Sequence, residues 1–126
     1  MRDEQLYKQG LDTGSKIYGK DGYLGLVRRV ERYDRDLADY LVENAFGQVL
    51  TRPGLDLKTR MLCNVAALSA LGIETLLKSY IRGAFNVGAS ETEIKEVLVQ
   101  MHLYVGWPRC LNAFTVLEEV MEERRK

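Results

Sequence analysis

The sequence predicts an all-α fold, a single domain of about six helices, on three observations. Apolar residues recur at spacings of three and four. Capping and stop residues fall between those segments. No stretch sustains period-two alternation and no Asn-Gly hairpin turn occurs. A chain of 126 residues fits one domain, and two would leave each half little to bury.

The elements follow in order. A short helix is expected from Asp3 to about Asp12, with Thr13-Gly14 and then Gly19, Gly22 and Gly25 turning the rest into a loop. Asp34 is placed to cap a helix whose apolar stripe is Leu37, Tyr40, Leu41, Ala45, Val49 and Leu50, and Pro53-Gly54 ends it. Asp56 is expected to cap the most apolar segment, Leu57 to Leu71. Met61, Leu62, Val65, Ala66, Leu68 and Ala70 leave it little polar surface, so it belongs at the centre of the fold or in a subunit interface. Gly72 stops it. A further helix from about Glu74 to Asn86 ends at Gly88, which can take the left-handed cap. Ser90 with Glu93 forms a capping box that opens a helix to about Val105. Gly106 and Pro108 interrupt that helix, and the last one runs into a charged tail.

Composition narrows the functional classes. Lys plus Arg and Asp plus Glu are 18 each, giving zero net charge. No basic excess draws the chain onto phosphate, so nucleic acid is not expected as a partner. Zero net charge with 46% hydrophobic residues favours self-association. The N-terminal MRDEQLYKQG is polar and no apolar run approaches a membrane span, so a cytoplasmic protein is expected. Cys63 and Cys110 do not form a C-x-x-C pair, and both read as buried thiols.

The strings TRPGLDLKTR (51–60), LLKSYIRGAFNVG (76–88), EIKEVLVQMHLYVGWP (93–108) and LNAF (111–114), with the order of the helices, resemble the carboxymuconolactone decarboxylase family. The Tyr104, Gly106, Pro108 turn matches the family's Y-x-G-x-P. The resemblance implies an all-helical subunit, similar to alkyl hydroperoxidase D, that assembles into a homo-oligomer, a hexamer or trimer, with active sites near subunit contacts. It also implies decarboxylation of a small carboxylated lactone without metal or organic cofactor, in the metabolism of aromatic compounds. Two positions depart from the family. Tyr80 stands where relatives carry His in L-K-x-H-x-R, and Val105 stands where many carry Cys. The peroxidase branch needs C-x-x-C with a nearby His, which this chain lacks.

Loss of CO₂ from such a lactone leaves negative charge on the lactone carbonyl, so a site needs an oxyanion stabiliser and a proton donor. Tyr80 can donate a hydrogen bond or a proton, although an ordinary phenol is a poor acid at neutral pH. Arg82, two residues on, would point elsewhere, whereas Tyr80 and Ala84 share a helical face. The sole histidine, His102, lies one turn from Val105 and is the candidate to take over acid/base work. The competing reading is a histidine half-buried at a helix contact.

Trp107 is either a pocket wall over the substrate or a packing anchor beside the turn. Arg60 either binds a substrate carboxylate or pairs with Glu43 or Glu74 across a subunit. Tyr104 and Val105 complete the substrate-binding set. Three functions remain: a decarboxylase, a non-catalytic small-molecule-binding oligomer on the same fold, and a cofactor-free lyase or isomerase on another substrate.

Overall fold

The computed structural model describes residues 2–126, and every described regular element is helical. The chain forms two compact units, 1–57 and 58–126.

The first unit holds α1 (Glu4–Tyr18), α2 (Lys20–Tyr33), and α3 (Arg35–Tyr40), which continues as a π-helical segment (Leu41–Val49). Asp3 caps α1, its carboxylate accepting from the Gln5 and Leu6 N–H groups at 3.1 Å each. The expected loop over 13–25 is therefore helix, interrupted only at Gly19, whose φ of 80° separates α1 from α2. Of the glycines read as breakers, Gly14 is a contact point, and so is Gly10 inside the expected first helix. A Cβ on Gly14 would sit 2.2 Å from the buried Tyr23 ring, and one on Gly10 would sit 1.9 Å from the Val42 carbonyl oxygen. Close approach selects glycine at those two positions, overriding its poor helix propensity.

Asp34 caps α3 as expected, accepting from the Leu37 N–H at 2.9 Å. The buried stripe is Ala38, Val42 and Phe46, however, while Leu37, Tyr40 and Val49 are exposed. The spacing is helical, but the small Gly10 and Gly47 draw the other face against α1. Phe46 packs on Tyr23 with ring centroids 4.8 Å apart. Burying such a side chain is worth roughly 1.5–3 kcal/mol.

The second unit holds α4 (Leu57–Leu71), α5 (Glu74–Asn86) and α6 (Glu91–Arg125). Gly72 (φ 73°) and Gly88 (φ 102°) stop α4 and α5 in the left-handed region. Both halves of the Ser90–Glu93 capping box are formed. Gly106, with φ 81° and ψ 172°, breaks α6 into two limbs. The limbs fold back on each other: the Cys110 thiol reaches the Leu98 carbonyl at 3.8 Å, and Glu91 and Lys95 line one cavity with Phe114, Glu118 and Met121.

Helix α5 lies along the second limb and runs the same way, since Lys78 pairs with Glu119 at 3.2 Å and Arg82 with Glu123 at 2.6 Å. The Arg82 hydrogen bond, ahead of Lys78, holds the Glu123 carboxyl down at about 2. Helix α4 is tied to the first limb by Lys58–Glu93 at 3.0 Å. It is tied past the break by the Arg109 guanidinium, which donates to the Ala70 carbonyl.

Candidate functional site

The break at Gly106 organises the site. Its backbone lies in a region open essentially to glycine alone, and the chain reverses there, bringing the end of one limb beside the start of the next. His102 and Trp107 meet across this turn with ring centroids 5.9 Å apart. The His102 Nδ1 faces the Val99 carbonyl within hydrogen-bond distance. A carbonyl can only accept, so Nδ1 carries the hydrogen, and in the neutral ring Nε2 holds the lone pair. The ring is oriented by its own helix and has one nitrogen available for proton transfer.

Of the other expected residues, Tyr104 and Val105 share this turn, whereas Arg60 and Tyr80 stand on other helices, Arg60 beside the Lys58–Glu93 pair and Tyr80 in the stretch of α5 that pairs with Glu119 and Glu123. Tyr104 and Trp107 are exposed and Val105 is half-buried on the same turn. Arg60 is half-buried in the first turn of α4, and Tyr80 is half-buried on α5. Neither takes part in the His102–Trp107 ring contact. Ala84 is buried on the Tyr80 face, while Arg82 points to Glu123, as the helical spacing requires.

The two cysteines differ. Cys110 is buried as expected, but Cys63 is exposed. Helix α4 buries Met61, Val65 and Ser69 on one face, and Cys63 falls on the opposite face with Ala67 and Leu71. It lines a groove of about 410 Å³ between α4 and the first limb of α6, with Leu62, Ala66, Val97 and Met101 as apolar walls and Thr59, Glu96 and Gln100 as polar members. None of the six expected site residues lines this groove. Among the described residues, no three His, Cys, Asp or Glu side chains gather as a metal would require, and no helix is long and apolar enough to cross a membrane.

Two contributors escaped the sequence reading. The Val99 carbonyl was discoverable, because i to i−3 contact on a helix is a local relation. The Arg109 contact was not, since only the folded chain brings it to the end of α4.

Comparison with known proteins supplies a second line of argument. Residues 35–119 match the model of the "Carboxymuconolactone decarboxylase family". A 4-carboxymuconolactone decarboxylase of Acinetobacter baylyi is 35% identical over 123 residues, covering 98% of this chain and 92% of that protein. A nitrosuccinic acid decarboxylase of Metarhizium robertsii is 28% identical over 119 residues, covering 94% and 83%. An uncharacterized 15.0 kDa protein of Paracoccus denitrificans is 31% identical over 99 residues, covering 77% and 74%.

Proposed function

The chain belongs to the carboxymuconolactone decarboxylase family, and on that premise we propose that it is a cofactor-free decarboxylase of a small organic acid, residues 1–126 acting as one domain of a cytoplasmic homo-oligomer, a hexamer or trimer. The substrate is a carboxylated lactone or a related acid in the metabolism of aromatic compounds. The names of the two decarboxylases denote acids that share one chemical feature: the carbon losing CO₂ feeds its electron pair into an acceptor, a lactone carbonyl or a nitro group.

The observation that carries the reading is the oriented His102. The bond between the substrate carbon and its carboxylate breaks, CO₂ leaves, and the electron pair moves onto the acceptor oxygen. The carbon then takes a proton. His102, protonated at Nε2, delivers it, and its Nδ1–H stays on the Val99 carbonyl throughout. Tyr80 donates a hydrogen bond to the oxyanion, where a phenol is competent without ionising. Arg60 holds a carboxylate as a bidentate partner. Tyr104, Val105 and Trp107 supply apolar surface that weakens hydration of the departing carboxylate.

The test is to incubate purified protein with 4-carboxymuconolactone and, separately, with nitrosuccinate, following CO₂ and the organic product. Turnover of either with loss of CO₂ supports the reading. Product formed without CO₂ points to a lyase or isomerase, and saturable binding without turnover points to the non-catalytic oligomer. A Tyr80→His variant that gains activity on the lactone would place Tyr80 in the reacting site.

A further inference from the structure

Taking the His102–Trp107 pair as the reacting site, as read above, we propose that Arg109 is its positioning residue. The Arg109 guanidinium fastens the start of the second α6 limb to the carbonyl end of α4, and this keeps Trp107 against the histidine ring.

The turn cannot hold the pair by itself. Gly106 has no Cβ to limit its rotation, so the backbone there leaves the angle between the limbs free. Trp107 is 66% exposed, so little packs around the indole to fix it. Between the limbs the Cys110 thiol reaches the Leu98 carbonyl at 3.8 Å, and a thiol is a weak donor. His102 is oriented from its own helix by the Val99 carbonyl. The place of Trp107 depends instead on where the second limb begins.

Arg109 sets that place. It stands two residues after Trp107 and donates to the Ala70 carbonyl in the last turn of α4. Helix α4 has no basic residue of its own in that turn. The Leu68 carbonyl is taken by the Gly72 and Ile73 N–H groups at 3.0 and 3.2 Å. The Ala70 carbonyl is among the last four, which a helix leaves unmatched. A guanidinium at this end therefore meets both an open acceptor and the negative pole of the helix. It lies against Gly72, where a Cβ would stand at ordinary contact distance, 3.8 Å from Nε and 4.0 Å from Cζ. The first limb is braced on the same helix, because Lys58–Glu93 at 3.0 Å joins its first turn to the first turn of α4. Both limbs are thus referred to one helix, the first at Lys58 and the second at Arg109.

Trp107 and His102 are the sole tryptophan and histidine, so each reports without labelling. An imidazolium quenches a neighbouring indole by accepting an electron from its excited state, whereas a neutral imidazole quenches it far less. Trp107 emission is followed, without substrate, from about pH 8 to about pH 5, the span over which histidine gains its charge. Arg109→Met keeps the apolar stem and removes the cation, with Arg109→Gln as the second variant if the first does not fold. Arg109→Lys restores a cation, and Ser90→Ala, at the far end of the same helix, controls for lost stability alone. His102→Gln assigns the response to the imidazole, and circular dichroism checks each fold. Wild type should lose emission as His102 is protonated, and His102→Gln should not. In folded Arg109→Met or Arg109→Gln the response should weaken about two- to fivefold, the range that a cation at a helix C-terminus contributes. Arg109→Lys and Ser90→Ala should keep most of it. A wild type without the response, a response that survives His102→Gln, or a full response without Arg109 would each overturn the proposal. So would an equal loss in Ser90→Ala or in Arg109→Lys. Because no substrate is used, an inert enzyme in the decarboxylation assay leaves this result standing on its own.

Discussion

Gly10→Ala and Gly25→Ala make the same chemical change in neighbouring helices and should move stability in opposite directions. Alanine at position 10 gains about 1 kcal/mol of helix propensity. Its Cβ, however, would lie 1.9 Å from the Val42 carbonyl oxygen and 2.8 Å from both the Val42 carbonyl carbon and Cγ1. Real Cβ contacts do not fall below 3.0 Å, so α1 must retreat from the π-helical segment by about 1 Å. The obstacle is backbone, which cannot rotate away, and overpacking of this kind costs about 1–3 kcal/mol or more. The net expectation is a loss of about 2 kcal/mol. At Gly25 nothing lies within 4 Å of the new Cβ, and alanine should stabilise by about 0.5–1 kcal/mol. Urea denaturation of both variants at one protein concentration measures the gap, expected near 3 kcal/mol. Equal midpoints, or a Gly10→Ala more stable than wild type, would refute the close crossing of α1 with the Leu41–Val49 segment.

Ser90→Ala removes the acceptor that bonds the Glu93 N–H at 3.0 Å, and should cost about 1 kcal/mol in the same denaturation assay. Gly106→Ala forces a Cβ into a backbone conformation with φ 81° and ψ 172°, at a cost on the order of 1–3 kcal/mol; it should also displace Trp107 from His102 and lower kcat. Glu123, held at about 2 mainly by the Arg82 hydrogen bond, has a folded value below its ordinary 4.5, so it contributes stability above about pH 4.5 that is lost as pH falls toward about 2. The Tm difference between wild type and Glu123→Gln should therefore be largest at neutral pH and shrink through that window. A constant difference would contradict the Arg82–Glu123 pairing.

Helices bounded by chemically explicit caps were legible in the sequence. Ser90 with Glu93, Asp34, and the glycines at 72, 88 and 106 all act locally, so their spacing identifies them before any folding. Glycines selected by a distant neighbour were not. Gly14 supports the Tyr23 ring and looks like a helix breaker until that partner is known, and nothing local marks Gly10 as the residue that abuts Val42. The same blindness misassigned the buried face after Asp34, where Ala38, Val42 and Phe46 are small or sparse against an equally apolar stripe of Leu37, Tyr40 and Val49. Cys63 shows the limit for α4, which is apolar all round, so no period says which side stays open. For the site, the sequence singled out His102 and Trp107 but not their contact, which exists because Gly106 folds one limb back on the other.

The central claim is that His102 supplies the proton in a decarboxylation. CO₂ release from 4-carboxymuconolactone by wild type and by His102→Ala, at equal protein and with both folds checked, tests it most directly. The account predicts turnover by wild type and a loss of at least about 10²-fold in the variant. Equal rates in the two proteins would contradict it.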